Sequence, residues 1–144
     1  THLFNAMSPL QGRAPDMVGG LLDHDALSIG LINDGHHVHD ASLRIALRAK
    51  GLERCFFVSD AMHVLGLAAD SVIAYRGEML HAKDGAVLNT RGKLAGSAAP
   101  LLTALQRAVT QLGVSLSDAV RLCSANPARL IGATDRGTLT IGAP

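Results

Sequence analysis

Ala26-Leu27-Ser28-Ile29-Gly30-Leu31-Ile32-Asn33-Asp34-Gly35 is the stretch that decides how this chain folds. A short, mostly apolar run ending abruptly in Asp-Gly suits a buried strand followed by a turn. Asp40 is then placed to cap a helix through about Lys50, with Leu43, Ile45, Ala46, Leu47 and Ala49 as apolar positions and Gly51 as the stop. Cys55-Phe56-Phe57-Val58-Ser59 repeats the first pattern, and it too ends in an acid, Asp60. Two short apolar strands joined by a helix read as a βαβ unit, hence a parallel sheet. Strand-loop-helix units with polar residues just after the strands are what a (β/α)8 barrel places at its C-terminal face. A closed barrel takes roughly 250 residues, so 144 residues supply part of one. An open doubly wound sheet satisfies the same alternation.

The texture changes after Ser71. Ser71–Tyr75, Glu78–His81 and Ala86–Leu88 are short strand candidates, separated by Arg76-Gly77 and Lys83-Asp84-Gly85. Turn residues of that kind predict antiparallel hairpins inserted between the parallel strands. Pro100 suits the first turn of a helix through about Leu112, stopped by Gly113. Ser115 or Ser117 can cap a shorter helix reaching Ala125, and Asn126-Pro127 can start another that stops at Gly132. Gly137–Gly142 reads as a strand leaving the barrel-like part. The expected division is residues 1–135 for the barrel part and 136–144 for the start of a small β domain.

Composition excludes several classes. With 48% apolar residues but only 3% aromatic and no Trp, the core must rest on Leu, Ala, Val and Ile. A net charge of +1 leaves no footprint for nucleic acid or an anionic membrane surface. No apolar run approaches the roughly 20 residues that span a bilayer, and no signal peptide opens the chain. Cys55 and Cys123 lie in apolar runs without metal-type spacing, which suits free thiols in a reducing, cytoplasmic compartment.

Polar groups at the ends of apolar runs are the candidates for chemistry. His2, in Thr1-His2-Leu3-Phe4-Asn5-Ala6-Met7, is a candidate metal or substrate ligand whose companion ligands must come from elsewhere. Three histidines stand within Asp34-Gly35-His36-His37-Val38-His39, but on a strand His37 and His39 share a face while His36 points away. Asp60, directly after Phe56-Phe57-Val58, is costly near a core unless paired or used, although it also reads as an N-cap for the next loop or helix. Arg13, in Gln11-Gly12-Arg13-Ala14-Pro15, could clamp a phosphate through its planar fork, or simply be solvated. Lys93–Ser97 could offer backbone amides to a ligand or form an ordinary turn.

Six segments occur in a telling order: Thr1–Met7, Gly12-Arg13-Ala14-Pro15, Asp34–Val38, Val58–Ala61, Gly92–Ser97 and Asn126-Pro127-Ala128-Arg129. Together they resemble the C-terminal part of the N-acetylglucosamine-6-phosphate deacetylase family, within the amidohydrolase superfamily, over essentially the whole chain. The resemblance implies a partial, TIM-like barrel, the C-terminal half of a (β/α)8 fold. It implies that Asp60 is the catalytic aspartate and that His2 ligates a divalent metal, zinc foremost, or iron, cobalt or manganese. Asn5, Ala6, Asp34, Gly35, His36, His37, Leu94, Ala95 and Gly96 would bind the phosphorylated amino sugar. Arg13 would reach the substrate phosphate in the neighbouring subunit of a homodimer. Ser8 and Met62-His63 depart from the family pattern and bear on loop shape and sugar preference. The family's metal-binding glutamate and its other metal-binding histidine would lie before Thr1, so these 144 residues are expected to be inactive alone. Two rival expectations are another amide hydrolase of the superfamily and an inactive half-domain.

Overall fold

A computed structural model describes residues 1–143. Two sheets organise it. The strands β1 (Ile29–Ile32) and β2 (Cys55–Val58) pair in parallel, with Ile29 opposite Cys55 and Ile32 opposite Val58. The strands β3 (Val72–Tyr75), β4 (Glu78–Lys83), β5 (Ala86–Asn89) and β6 (Leu94–Ser97) form an antiparallel sheet in that order. The β3–β5 hairpins match the turn chemistry of the sequence. β6 occupies a tract that sequence left open between a ligand-facing segment and a turn. It pairs with β5 across an irregularity at Val87/Leu88, a register slip that alternation alone does not reveal.

Helix α1 (Asp16–Asp23) precedes β1, and α2 (Asp40–Lys50) makes the crossover from β1 to β2. The helices α3 (Leu101–Thr110), α4 (Leu116–Cys123) and α5 (Ala125–Leu130) follow and pack against β2. α1 was not anticipated, because Gly19-Gly20 lowers helix propensity and no side chain caps its start. Gly19 is needed there: a Cβ would stand 2.5 Å from the Pro15 Cβ. Nor does Asp40 cap α2. His39 is the N-cap, its ring Nδ1 accepting the Ala41 N–H at 3.2 Å, while Asp40 turns to Arg107. Gly51 ends α2 with φ 77°, as its sequence position implies. Ser115 caps α4, accepting the Asp118 N–H at 3.1 Å.

The strand expected at Gly137–Gly142 is not formed. The segment runs through turns, and Leu139 and Ile141 are fully exposed, because no neighbouring strand among the described residues offers their backbone a partner. Every residue of β1 is buried. Gly30 is obligatory in it, since a Cβ would meet the Phe56 ring and the Thr1 Oγ1 at 2.9 Å. The Leu3 N–H donates to the Gly30 carbonyl at 2.8 Å, which lays the N-terminal segment along β1.

Buried side chains fall into two nuclei. One gathers Leu3, Ile29, Leu31, Leu43, Phe57, Ala108 and Leu122 with their neighbours from the parallel unit and its helices. The other, much smaller, holds Val64, Leu80, Ala82 and Val87 under the antiparallel sheet. Lys50 is buried with its amine donating to the Leu21 carbonyl at 2.7 Å and also to the His24 carbonyl, tying the end of α1 to the end of α2. Among the described residues no helix is long and apolar enough to cross a membrane.

Candidate active site

In-register parallel pairing sets up the site. Asp34 lies two residues past Ile32 and Asp60 two residues past Val58, and those two residues are partners. The two carboxylates therefore leave neighbouring strands at the same level. His37 stands between them. Its Nδ1 lies 2.7 Å from the Asp34 Oδ2, and its Nε2 lies 3.2 Å from the Asp60 Oδ2.

The Asp34–Gly35 turn is held from inside. Asp34 Oδ1 accepts the backbone N–H of His36 at 2.9 Å and of His37 at 3.0 Å, closing an Asx-type turn. Gly35 adopts φ 91°, which an L side chain rarely tolerates, and the Arg107 guanidinium packs against it. Asn33, fully buried, donates to the Ala104 carbonyl on α3 at 2.9 Å. Arg107, one helical turn further, pairs with Asp40 at 2.7 Å.

Electrostatics follow from this packing. Burial by itself would raise the Asp34 pKa. The His37 ring hydrogen bond, the two amide bonds and the charge on His37 outweigh it and hold the carboxyl well below the usual carboxylate range. For His37, burial pulls the pKa down, but the bond and charge of Asp34, and then those of Asp60, carry it above its ordinary value. The side chains of Asp34 and His37 are 4% and 6% exposed, whereas that of Asp60 is 47% exposed. Asp60 is the member of the trio that a solute can reach.

The antiparallel sheet is stitched to Asp60 by backbone. The Ser97 N–H donates to the Asp60 carbonyl at 2.9 Å, and the Met62 N–H donates to the Ser97 carbonyl at 2.8 Å. Gly96 therefore passes close to Asp60, and Leu94 and Ala95 lie exposed beside it on β6. His36 is exposed and turns to the β4–β5 loop, where its Nε2 lies 2.9 Å from the Asp84 carbonyl.

The first seven residues form tight turns instead of a run, with positive φ at His2, Phe4 and Ala6. His2 Nδ1 lies 2.9 Å from the Asn5 carbonyl. A carbonyl can only accept, so the proton sits on Nδ1 and the Nε2 lone pair is free. That is the tautomer a metal-ligating histidine needs. The residues thus fit one ligand position. Among the described residues no cluster of three or more His, Cys, Asp or Glu could hold an ion, so further donors are required. Asn5 donates to the Leu3 carbonyl at 3.2 Å, and Ala6 lies exposed beside it. Arg13 sits apart in an exposed loop closed by mutual hydrogen bonds of Gln11 and Ala14 at 3.0 and 3.2 Å.

Sequence reading missed Asn33, Arg107 and Asp84. One signal was available for Arg107: it follows Ala104 by three residues and precedes Ala108, both buried, so it faces inward. Its partner Asp40 lies 67 positions away, and no local pattern announces that.

No family model matches the chain. It is 37% identical over 143 residues to an N-acetylgalactosamine-6-phosphate deacetylase from Shewanella sp. (strain ANA-3), covering 99% of the chain but 36% of that relative. An Escherichia coli (strain K12) relative, provisionally named an N-acetylgalactosamine-6-phosphate deacetylase, is 34% identical over 131 residues, 91% of the chain and 77% of its own length. Among solved structures, N-acetylglucosamine-6-phosphate deacetylase from Pasteurella multocida superposes with a TM-score of 0.91 at 34% identity, covering 98% of the chain and 37% of that structure.

Proposed function

The chain belongs to the N-acetylglucosamine/N-acetylgalactosamine-6-phosphate deacetylase family, as a C-terminal part spanning about a third of most relatives, and from that premise we propose that it carries the acid–base half of a deacetylase site. The reaction is hydrolysis of the acetamide of N-acetylglucosamine 6-phosphate. The observation that carries the reading is Asp60: a half-exposed carboxylate just past a strand end, 3.2 Å from a buried imidazole that a second carboxylate holds. A carboxylate so held accepts and returns a proton without reorganising.

In the proposed mechanism Asp60 takes a proton from the attacking water as its oxygen bonds to the acetamide carbon. It returns that proton to the nitrogen as the C–N bond breaks, releasing acetate and the amine. His37 keeps Asp60 in position and offers its Nε2 proton beside the developing negative charge. A divalent cation held in part by His2 supplies, when bound, the charge that polarises a carbonyl and lowers the pKa of a water. Asn5, Ala6 and the Leu94–Gly96 segment, with Gly35 and His36, are assigned to the sugar. Arg13 is assigned to the phosphate of a neighbouring subunit's substrate in a homodimer, a role its exposed loop leaves open to it. We read β1 and β2 as adjacent strands of a (β/α)8 barrel, supported by their parallel register and by the polar groups clustered past their C-terminal ends. The free thiols Cys55 and Cys123 and the phosphorylated substrate support a cytoplasmic setting.

The test is acetate release from N-acetylglucosamine 6-phosphate by the native protein that carries these residues, with and without Asp60→Asn. Turnover should fall at least ~100-fold with the metal content unchanged, and near-normal turnover sinks the assignment. A second reading is favoured by the Shewanella relative: the galactosamine epimer as substrate. Comparing kcat/KM for the two epimers decides between them.

A further inference from the structure

Proton counting along Asp34–His37–Asp60 leads beyond the assignment of Asp34 to the sugar. Asp34 uses both oxygens internally, Oδ1 on the amides of His36 and His37 and Oδ2 on the His37 ring at 2.7 Å. With its side chain only 4% exposed, it has no surface to give a sugar hydroxyl. Because Asp34 can only accept, His37 Nδ1 carries a proton. A neutral His37 would then present a bare lone pair at Nε2, 3.2 Å from an Asp60 oxygen. Two acceptors do not hydrogen-bond, so the contact needs one more proton, on Nε2 or on Asp60. The buried charge of Asp34 decides where it goes: it holds the proton on the ring, which then presents it from Nε2 to Asp60.

We propose that Asp34 is a positioning residue for the deacetylation. Acting through His37, it keeps Asp60 oriented and in its proton-accepting form, and it does not touch the substrate. The groups facing this chain are few. His37 meets Asp34 from its own loop and Asp60 from the segment after β2. His36 is turned to the Asp84 carbonyl on the antiparallel sheet. On α3, Arg107 lies against Gly35 with its charge matched by Asp40. No other charged group among these contacts competes for the His37 proton.

This inference rests on the deacetylase reading, so the experiment has one arm that needs no turnover. Asp34→Asn preserves shape and the carbonyl that accepts the two amides, but its NH2 group faces His37 Nδ1 and reverses the tautomer. In nitrogen-15 NMR of the ring followed against pH, His37 should keep both ring protons to higher pH in the native protein than in the variant, where Nε2 alone stays protonated once the ring has titrated. In kinetics the variant should lose ~100-fold in kcat with KM within about threefold, and the alkaline limb of kcat/KM should move to lower pH. A raised KM with kcat intact would make Asp34 a substrate contact and overturn the proposal. So would a His37 ring that titrates at the same pH in the variant as in the native protein. If the native protein releases no acetate, the deacetylase reading falls, and the NMR arm alone settles whether Asp34 controls His37.

Discussion

Gly96→Ala probes the link between the antiparallel sheet and Asp60, the proposed catalytic carboxylate. An added Cβ would stand 2.6 Å from the Met62 Cγ, 3.1 Å from its Sδ and 3.3 Å from the Asp60 carbonyl oxygen. Met62 can relieve the first two contacts by changing rotamer. The third is against backbone, and the Ser97–Asp60 bond at 2.9 Å and the Met62–Ser97 bond at 2.8 Å prevent either segment from simply sliding away. Overpacking of this kind costs about 1–2 kcal/mol, which lowers the melting temperature of a chain this size by roughly 3–8 °C. Asp60 would be displaced by a few tenths of an ångström, costing on the order of tenfold in kcat. Thermal unfolding followed by circular dichroism reads the first effect and steady-state kinetics the second. Met62→Ala in the same background should restore part of both, giving a coupling of about 1 kcal/mol in a double-mutant cycle. Native melting and turnover in Gly96→Ala, or strict additivity with Met62→Ala, would refute the reasoning.

Three further outcomes are expected. The folded-state pKa of Asp34 lies below its ordinary 3.8, so its contribution to stability is full above that pH and is lost as pH falls. That of His37 lies above 6.5, so its contribution is full below 6.5 and is lost as pH rises through the raised value. Urea midpoints measured from pH 3 to 9 should therefore be highest between about pH 4 and 6.5, and Asp34→Asn should flatten the profile. An unchanged profile in the variant contradicts the pairing. For Arg13→Ala in the native protein, KM should rise for the phosphorylated sugar and hardly change for N-acetylglucosamine; equal losses on both would remove the phosphate role. These 144 residues alone should bind zinc only weakly in calorimetry, because His2 is a single donor. Tight binding would mean that a ligand among them has been overlooked.

How far sequence reaches is visible in particular residues. β1 and β2 were legible because each is a continuous apolar run, buried on both faces in β1 and with its alternate residues half-buried in β2. The acids following those runs proved to be the two carboxylates that flank His37. The hairpins were legible from Arg76-Gly77 and Asp84-Gly85, where chain reversal needs positive φ. β6 was left open because Leu94-Ala95-Gly96-Ser97 has no alternation and depends on β5 and Asp60 for its bonds. The Gly137–Gly142 strand failed for the converse reason, a strand-like pattern without a partner. His39, one of the three clustered histidines, caps α2, a task open to a histidine once its ring can accept a backbone N–H. Long-range contacts such as Asn33 to Ala104 belong to the fold and leave no local trace.

The two separate apolar nuclei carry a consequence for how this molecule unfolds on warming. The smaller one under the hairpins has little buried surface to resist opening, while the larger one is braced by helices. Nuclei so unequal should open as separate units, and Asp60 lies on the boundary, its main chain bonded to one and its side chain paired with the other. Thermal unfolding should then begin with release of the hairpin unit, at temperatures where the helices are still intact.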